Sequence, residues 1–430
     1  MKALLTNPPF FGEGWHGIRA GCRWAFISQG NFEKEKLEQQ RDNYYQTYPF
    51  FLGYAGAVLQ EAGHEVWLYD AVAMCDSYAE FYYKVEKYGA DIVVLETSTP
   101  SYEQDLQILA NIKDMEMETA LAGPMVMPLV EEIKQKKHVD YILKGEYILS
   151  LLEVCKTRRK GVYEPEFIKE MDRLPMPIRD SETIYFYNDY FSFGEYIVKP
   201  QLQMWTSMGC AYNCTFCLWR HTMTMGRVRQ RSTGSVKAEL KYCIEKWKFK
   251  SVLFDDDTFN MGDKHVMDIS TMMRDNFADI EWYAMVRLDS CSIKAFQTMK
   301  DCGCWGLKIG IETFQPKALE RIEKGMKEEN MIEKLMKIID MGFYVYLSTM
   351  QYIPGETKIE RIKTEQLLKE LMKLGVRWQR PYCVPLPGTK LFEQFEQKGF
   401  KMRENWFDYG RYEESNITDK IKYFNLIKDK

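Results

Sequence analysis

The strongest constraint on the fold is an alternation of short β-branched runs with helical stretches that occurs twice along the 430-residue chain. In the first run the sequence predicts strands at 2–6, 64–70, 91–96, 118–122 and 139–143, with helical segments between them. Segment 51–62 is apolar and stops at Gly63, a residue that suits a helix end. Segments 102–114 and 129–137 carry amphipathic spacing. Repeated strand–helix–strand units imply a parallel sheet covered by helices on both faces, and such sheets take ligands outside the carboxyl ends of their strands. The residues expected there are Asn7, Pro8 and Pro9, Asp70, Thr97 and Ser98, Gly123, and Gly145 with Glu146.

One stretch breaks the pattern. Residues 12–48 separate the first strand from the first helix and hold Trp15, Arg19, Arg23, Trp24, Tyr44, Tyr45 and Tyr48. So long a connection in a compact domain is usually functional or disordered, and its aromatic residues favour an ordered, packed loop. The alternation lapses again over 161–200, where Leu174-Pro-Met-Pro177 reads as an extended crossing between domains. From Gln201 it restarts, with strands expected at 202–207, 251–255, 281–286, 306–311, 344–351 and 377–384 and helices after the first five. Helical faces close at Gly342 and Gly375. The expected fold class is therefore α/β: a Rossmann-like, doubly wound parallel sheet over 1–160, a linker over 161–200, a partial (β/α)6 barrel over 201–390 and a carboxy-terminal extension over 391–430.

Charge narrows the function classes. Fifty-eight basic residues against 62 acidic ones give a formal net charge of −4, which removes the electrostatic case for a nucleic-acid-coating protein. The longest apolar stretch, near 50–59, falls well short of the roughly 20 residues a membrane helix needs. With no signal-peptide pattern at the amino terminus, a soluble cytoplasmic protein is expected. Its 11 cysteines are then expected as thiols unless they hold a metal.

Three of those cysteines are grouped: Cys210-Ala-Tyr-Asn-Cys214-Thr-Phe-Cys217 follows the first strand of the second run after Gly209. Three thiolates on one loop can ligate an iron–sulfur cubane and leave one iron open to a cofactor or substrate. A Cys3His zinc site completed by His221 uses a ligand set that zinc accepts, and chance clustering is a further reading.

The Cys-x3-Cys-x2-Cys loop, with Phe216 before the last cysteine, resembles the signature of radical S-adenosylmethionine (radical SAM) enzymes. Further segments resemble that family's strand motifs in order: 254–259 (Phe-Asp-Asp-Asp-Thr-Phe), 286–289 (Val-Arg-Leu-Asp), 310–313 (Gly-Ile-Glu-Thr), 352–357 (Tyr-Ile-Pro-Gly-Glu-Thr) and 384–389 (Val-Pro-Leu-Pro-Gly-Thr). In the first run, Leu5-Thr-Asn-Pro-Pro9, Gly63-His-Glu-Val66, Tyr69-Asp70, Gly123-Pro124 and Lys144-Gly-Glu146 resemble the cobalamin-binding domain of one large radical SAM subfamily, as does the Leu-Pro-x-Pro linker. The Asp-x-His-x-x-Gly motif of methionine-synthase-type cobalamin domains is missing; His16 reads as a surface or packing residue, and the resemblance implies a cobalt without a lower histidine ligand.

The resemblance implies a 4Fe-4S cluster on Cys210, Cys214 and Cys217, S-adenosylmethionine on its open iron, and a cobalamin. It implies Asp255, Asp256 and Asp257 as acceptors for the methionine ammonium, Arg287 for its carboxylate, Glu312 for the ribose or for a pair with Arg287, and Phe216 and Ile353 against the adenine. Asn7, Pro8, Asp70, Thr97, Ser98, Gly123 and Glu146 become candidate cobalamin contacts. The basic run Arg220, His221, Arg227, Arg229 and Arg231 reads mainly as solvated or structural, and Cys383 as an inert buried thiol. The implied activity is reductive cleavage of S-adenosylmethionine to a 5′-deoxyadenosyl radical, for cobalamin-dependent methyl transfer to an unactivated carbon of a small-molecule or biosynthetic-intermediate substrate. The implied electron donor is a flavodoxin or ferredoxin. Radical cyclisation, oxidoreduction or rearrangement without methylation, and an iron–sulfur sensor with a vestigial cobalamin domain, are the alternatives.

Overall fold

The computed structural model describes residues 1–28, 33–41, 45–180, 182–326, 328–399 and 405–409. Contacts divide the chain into two compact units: residues 1–191 with 221–225 and 386–409, and residues 192–220 with 226–385.

The first unit opens with β1 (Lys2–Asn7), then the short strands β2 (Phe11–Gly12), β3 (Trp15–Ala20), β4 (Arg23–Ser28) and β5 (Tyr45–Gln46). The main sheet continues with β6 (Glu65–Asp70), β7 (Ile92–Glu96), β8 (Glu118–Ala122), β9 (Tyr141–Leu143) and β10 (Gly161–Tyr163). Its order is β10-β9-β8-β7-β1-β6, and every pairing is parallel. Strand order reverses between β1 and β7, which makes their carboxyl ends the crevice of a doubly wound sheet. The helices between strands bury apolar faces on it; Phe81, Val85, Leu106, Leu109 and Ile112 join Val93, Leu95 and Leu121 in one core. The helix Tyr78–Tyr88 starts on a Ser77–Glu80 capping box and ends on left-handed Gly89. Residues 161–163, read from sequence as the start of a linker, add the sixth strand, and β11 (Asn188–Asp189) pairs antiparallel with β5. Strands of two or three residues are too short to show a period.

The 12–48 insertion is ordered where it is described. β2, β3 and β4 form an antiparallel sheet, followed by a helix at Lys34–Arg41; Tyr44 lies outside the described residues. His16 sits inside this sheet, 7% exposed, and burial pushes its imidazole down to about 4, so it is a packing residue rather than a surface one.

The second unit holds β12 (Gln201–Met204), the ribbon strands β13 (Ser207–Met208) and β14 (Arg229–Gln230), then β15 (Ser251–Phe254), β16 (Glu281–Val286), β17 (Cys304–Glu312), β18 (Tyr344–Thr349) and β19 (Arg377–Gln379). Six of these form one parallel sheet in sequence order, β12-β15-β16-β17-β18-β19, with no pairing of first to last: an open (β/α)6 arrangement. Phe193, Ile197, Leu253, Tyr283 and Tyr346 pack across it. Among the described residues no helix is long and apolar enough to cross a membrane.

Candidate active site

The cysteine loop leaves β12 and is closed at its base by the β13–β14 ribbon, in which Ser207 faces Gln230 and Met208 faces Arg229. The turn into the loop has one permitted residue. Gly209 has φ +91°, and a Cβ there would lie 1.8 Å from the Arg227 carbonyl oxygen. The acidic triplet after β15 fastens the base of the loop. Asp256 is fully buried, and its Oδ1 accepts from the Thr206 backbone N–H (3.0 Å), Thr206 Oγ1 (2.8 Å), Ser207 Oγ (2.6 Å) and the Ser207 N–H. Burial pushes this carboxyl up to about 6 against the pull of those donors. Asp257 Oδ2 accepts from the Gly209 N–H at 2.9 Å, and the Asp255 carbonyl accepts from Trp205 Nε1 at 2.9 Å. Two of the three aspartates expected to face a bound ammonium are thus holding the chain's own backbone, because the first residues beyond β12 bring buried N–H groups that need acceptors.

The far side of the loop rests on the segment after the helix Pro316–Arg321. Thr215 N–H donates to the Ile322 carbonyl (3.0 Å), and Asn213 Nδ2 to Glu323 Oε2 (3.2 Å). All three cysteines are free thiols; Cys214 is buried, Cys210 and Cys217 are half-buried. Cys210 Sγ lies 3.4 Å from Thr258 Oγ1. The Cys217 thiol is pushed up to about 12, first by burial and then by the charges of Cys214, Cys210 and Asp257. The Cys214 thiol is raised by burial, with Lys324 and Arg287 pulling it back down. Three thiols in mutual electrostatic contact beside two cations suit ligands that must ionise to bind iron. Among the described residues no three His, Cys, Asp or Glu side chains gather closely enough to hold a single metal ion.

Arg287, at the end of β16, is committed on most sides. Its Nε and Nη2 donate to the Asp289 carboxylate (3.0 and 2.8 Å), and Nη2 also to the Lys324 carbonyl (2.6 Å). Nη1 reaches Cys214 Sγ at 3.6 Å, and the guanidinium lies over the Tyr212 ring at 3.5 Å. Glu312 closes β17 in a left-handed conformation, φ +68°, where the pairing with β18 shifts register. A non-glycine residue held there marks a constrained position of the kind found at functional sites. Its partner is not Arg287, as one expectation had it, but Lys324, whose Nζ lies 2.8 Å from Glu312 Oε1. The exchange follows from Asp289, two residues along from Arg287, saturating that guanidinium. Phe216 is half-buried, and Ile353 is buried.

The Radical SAM superfamily matches residues 206–368, from just before the cysteine loop into the helix Lys358–Lys373 that follows β18. The chain carries a radical SAM domain. Over its wider length it is 28% identical to an uncharacterised methyltransferase of Pyrococcus horikoshii, an alignment covering 87% of this chain and 84% of the relative. Two solved structures share the fold at 14% identity. TsrM of Kitasatospora setae, a radical S-adenosylmethionine methyltransferase solved with cobalamin and a [4Fe-4S] cluster, matches with a TM-score of 0.65 over 96% of this chain and 81% of that one. OxsB, a cobalamin-dependent S-adenosylmethionine radical enzyme, matches with a TM-score of 0.63 over 95% of this chain, which spans 63% of OxsB.

Lys324 of the radical SAM domain was not singled out in the sequence. Glu-Lys-Gly after a helix is an unremarkable polar run, and only the packing of 322–324 against the cysteine loop brings the side chain inside. Arg231, read as mainly solvated or structural, is structural: its guanidinium is buried and pairs with buried Glu239 at 2.7 Å. Cys383 is buried and its thiol is raised, first by burial and then by the carboxylates of Glu312 and Glu356, which fits an inert thiol.

In the first unit the strand-end residues serve the chain itself. Asn7 Nδ2 donates to the Arg19 carbonyl (2.5 Å) and to Asp70 Oδ1 (3.1 Å), and Ser98 Oγ donates to the Gly21 carbonyl (2.6 Å). The Arg19 guanidinium reaches the Pro8 carbonyl and forms a buried pair with Asp105 at 2.7 Å. Asp70 also accepts from Tyr187 Oη, and Glu146 from the Ile168 N–H. Thr97 is fully buried, and at Gly123 (φ +107°) a Cβ would lie 2.4 Å from the Thr97 carbonyl oxygen, so this glycine makes room for backbone. The hairpin of β3 and β4 therefore lies along the switch-point edge of the sheet.

Proposed function

We infer that the protein is a radical SAM methyltransferase that works with cobalamin. The observation that carries this reading is the loop of Cys210, Cys214 and Cys217, pinned at its base by Asp256 and Asp257 and flanked by Arg287 and Lys324, within a domain that matches the radical SAM superfamily. The curated relative named a methyltransferase, and the neighbours solved with cobalamin, support the methyl-transfer part.

The residues fit a cubane on the three thiolates. When bound, the cluster supplies the electron that splits the sulfonium bond of S-adenosylmethionine, and cobalamin supplies a methyl carrier. This chain's own groups do the holding. Arg287 fixes the loop through Tyr212 and Cys214, and the cations beside Cys214 favour its ionised form. For cobalamin the fold of the first unit fits. The groups of Asn7, Asp70, Ser98 and Gly123 are turned to the chain itself, so no corrinoid contact is assigned to them.

The test is anaerobic reconstitution with iron, sulfide and cobalamin, reduction, and incubation with S-adenosylmethionine and extracts of candidate substrates. Mass spectrometry is expected to show 5′-deoxyadenosine together with S-adenosylhomocysteine, and neither in Cys214→Ala. Deoxyadenosine without S-adenosylhomocysteine would defeat methyl transfer; neither product in the wild type would defeat radical chemistry.

A further inference from the structure

The hydroxyl groups at the base of the cysteine loop have acceptors within the chain. Thr206 Oγ1 and Ser207 Oγ donate to Asp256 Oδ1 at 2.8 and 2.6 Å, and Thr258 Oγ1 donates to the Asp257 carbonyl at 2.7 Å. Thr215, inside the loop, differs. It is 0% exposed, and its Oγ1 has no hydrogen-bond partner among the described residues. Its backbone N–H donates to the Ile322 carbonyl at 3.0 Å, so the residue is held in place while its hydroxyl stays unsatisfied. A buried hydroxyl without a partner costs free energy, and in a native structure it points to a bound group that completes it.

The position of Thr215 says which group. The Cys217 N–H donates to the Cys214 carbonyl at 3.2 Å, closing a turn whose two central residues are Thr215 and Phe216. The first and last residues of this turn carry two of the three thiols. Consecutive Cα atoms are about 3.8 Å apart, so a group held by the Cys214 and Cys217 sulfurs stands within a side chain's reach of Thr215. A second donor already serves this corner, because Arg287 Nη1 reaches Cys214 Sγ at 3.6 Å. The thiolates and inorganic sulfides of an iron–sulfur cluster are anionic acceptors, and hydrogen bonds to them are one lever that sets the reduction potential.

We propose that Thr215 is a positioning residue for the cluster: its hydroxyl donates to a cluster sulfur and raises the potential at which the cluster accepts an electron. This inference rests on the radical SAM reading and deepens it. Reduction adds one negative charge to the cluster, and a donor facing that charge binds the reduced form more tightly than the oxidised one. In the apoprotein the same hydroxyl is only a cost, since it has no acceptor there. The two states therefore respond to its removal in opposite directions.

The experiment uses the full-length protein reconstituted anaerobically with iron and sulfide, without S-adenosylmethionine. Dithionite titration followed by electron paramagnetic resonance reads the ratio of reduced to oxidised cluster at the wild-type midpoint. Thr215→Val keeps the shape and removes the donor. It is expected to lower that ratio about threefold, which is ~28 mV for one electron, with iron and sulfide counts as in the wild type. Thr215→Ser, which restores the donor, is expected to return the wild-type ratio. Urea denaturation of the apoprotein is expected to find Thr215→Val no less stable than the wild type. If Thr215→Val does not take up a cluster, the pair Thr215→Ser and Thr215→Ala carries the test, with the ratio lowered only in the alanine variant. An unchanged ratio in a loaded valine variant would overturn the proposal. So would an equal fall in the valine and serine variants, which would mean packing alone, or an apoprotein destabilised by valine, which would mean an acceptor within the chain. A wild type that gives no iron–sulfur signal would instead defeat the radical SAM reading on which the proposal stands.

Discussion

Replacing Gly209 by alanine separates two costs that usually come together. The position has φ +91°, where an L residue is strained by roughly 1–2 kcal/mol. Its Cβ would also stand 1.8 Å from the Arg227 carbonyl oxygen and 2.6 Å from that carbonyl carbon, both backbone atoms that cannot rotate away. Relief requires a displacement of more than 1 Å (order of magnitude from ordinary contact distances) at the foot of the β13–β14 ribbon. Such overpacking adds about 1–3 kcal/mol, for a total of roughly 2–5 kcal/mol. Gly262 is the natural control: φ is +96°, and nothing lies within 4 Å of the Cβ it would gain. Gly262→Ala should therefore show the strain alone. Urea denaturation of the apoprotein and iron and sulfide counts after anaerobic reconstitution are the assays. Gly209→Ala is expected to lose more stability than Gly262→Ala by the overpacking cost and to retain less than half the wild-type iron, because the displaced foot carries Cys210. Equal stability losses in the two variants, or full iron loading in Gly209→Ala, would refute the claim that backbone crowding sets the shape of this loop.

Two further outcomes follow from buried charges. Glu356 is 7% exposed, and burial pushes its carboxyl from 4.5 up to about 7 despite Arg380, Arg361 and the backbone N–H groups of Ile353 and Tyr352 nearby. The folded state then binds the extra proton between those two values, so this group's contribution to stability falls as pH rises from about 4.5 to 7 and its penalty is complete above that. Glu356→Gln should gain on the wild type by up to ~3 kcal/mol at pH 8 and show no gain near pH 4.5; a pH-independent difference in denaturation midpoints would contradict this. Arg19→Met should destabilise the protein by about 3–5 kcal/mol, because it strands fully buried Asp105 and removes the strap to the Pro8 carbonyl. The double variant Arg19→Met/Asp105→Leu should recover most of that loss; a double variant as unstable as the single one would show that the pair itself is not the cause.

Much of this architecture is written locally. Apolar runs of strand length alternate with helical faces, and Gly63, Gly89, Gly342 and Gly375 punctuate them, all at positive φ as helix ends require. The cysteine spacing needs no tertiary information either, because one loop carries all three thiols. Sequence also located Asp256, Arg287 and Glu312 at strand ends, since the order of strands in the second sheet is their order in the chain. What it could not assign was the partner of each charged group. Asp256 and Asp257 look like binding groups in the sequence and turn out to satisfy buried N–H groups of residues about 50 positions away. Of the two expectations for Glu312, the pair with Arg287 gives way to one with Lys324, which stands in a stretch with no pattern to mark it.

The first unit repeats the lesson at the level of an edge. Asn7 and Ser98 fall at the carboxyl ends of parallel strands, as the alternation alone determines. That their polar groups meet the backbone of Arg19 and Gly21 was decided only by the fold of the 12–48 insertion, whose aromatic residues specified order and not position. The physical reason is common to both units. Secondary structure answers to periodicity within a dozen residues, whereas a buried polar group is satisfied by whichever donor or acceptor packing brings within about 3 Å, and nothing in the local pattern encodes that neighbour.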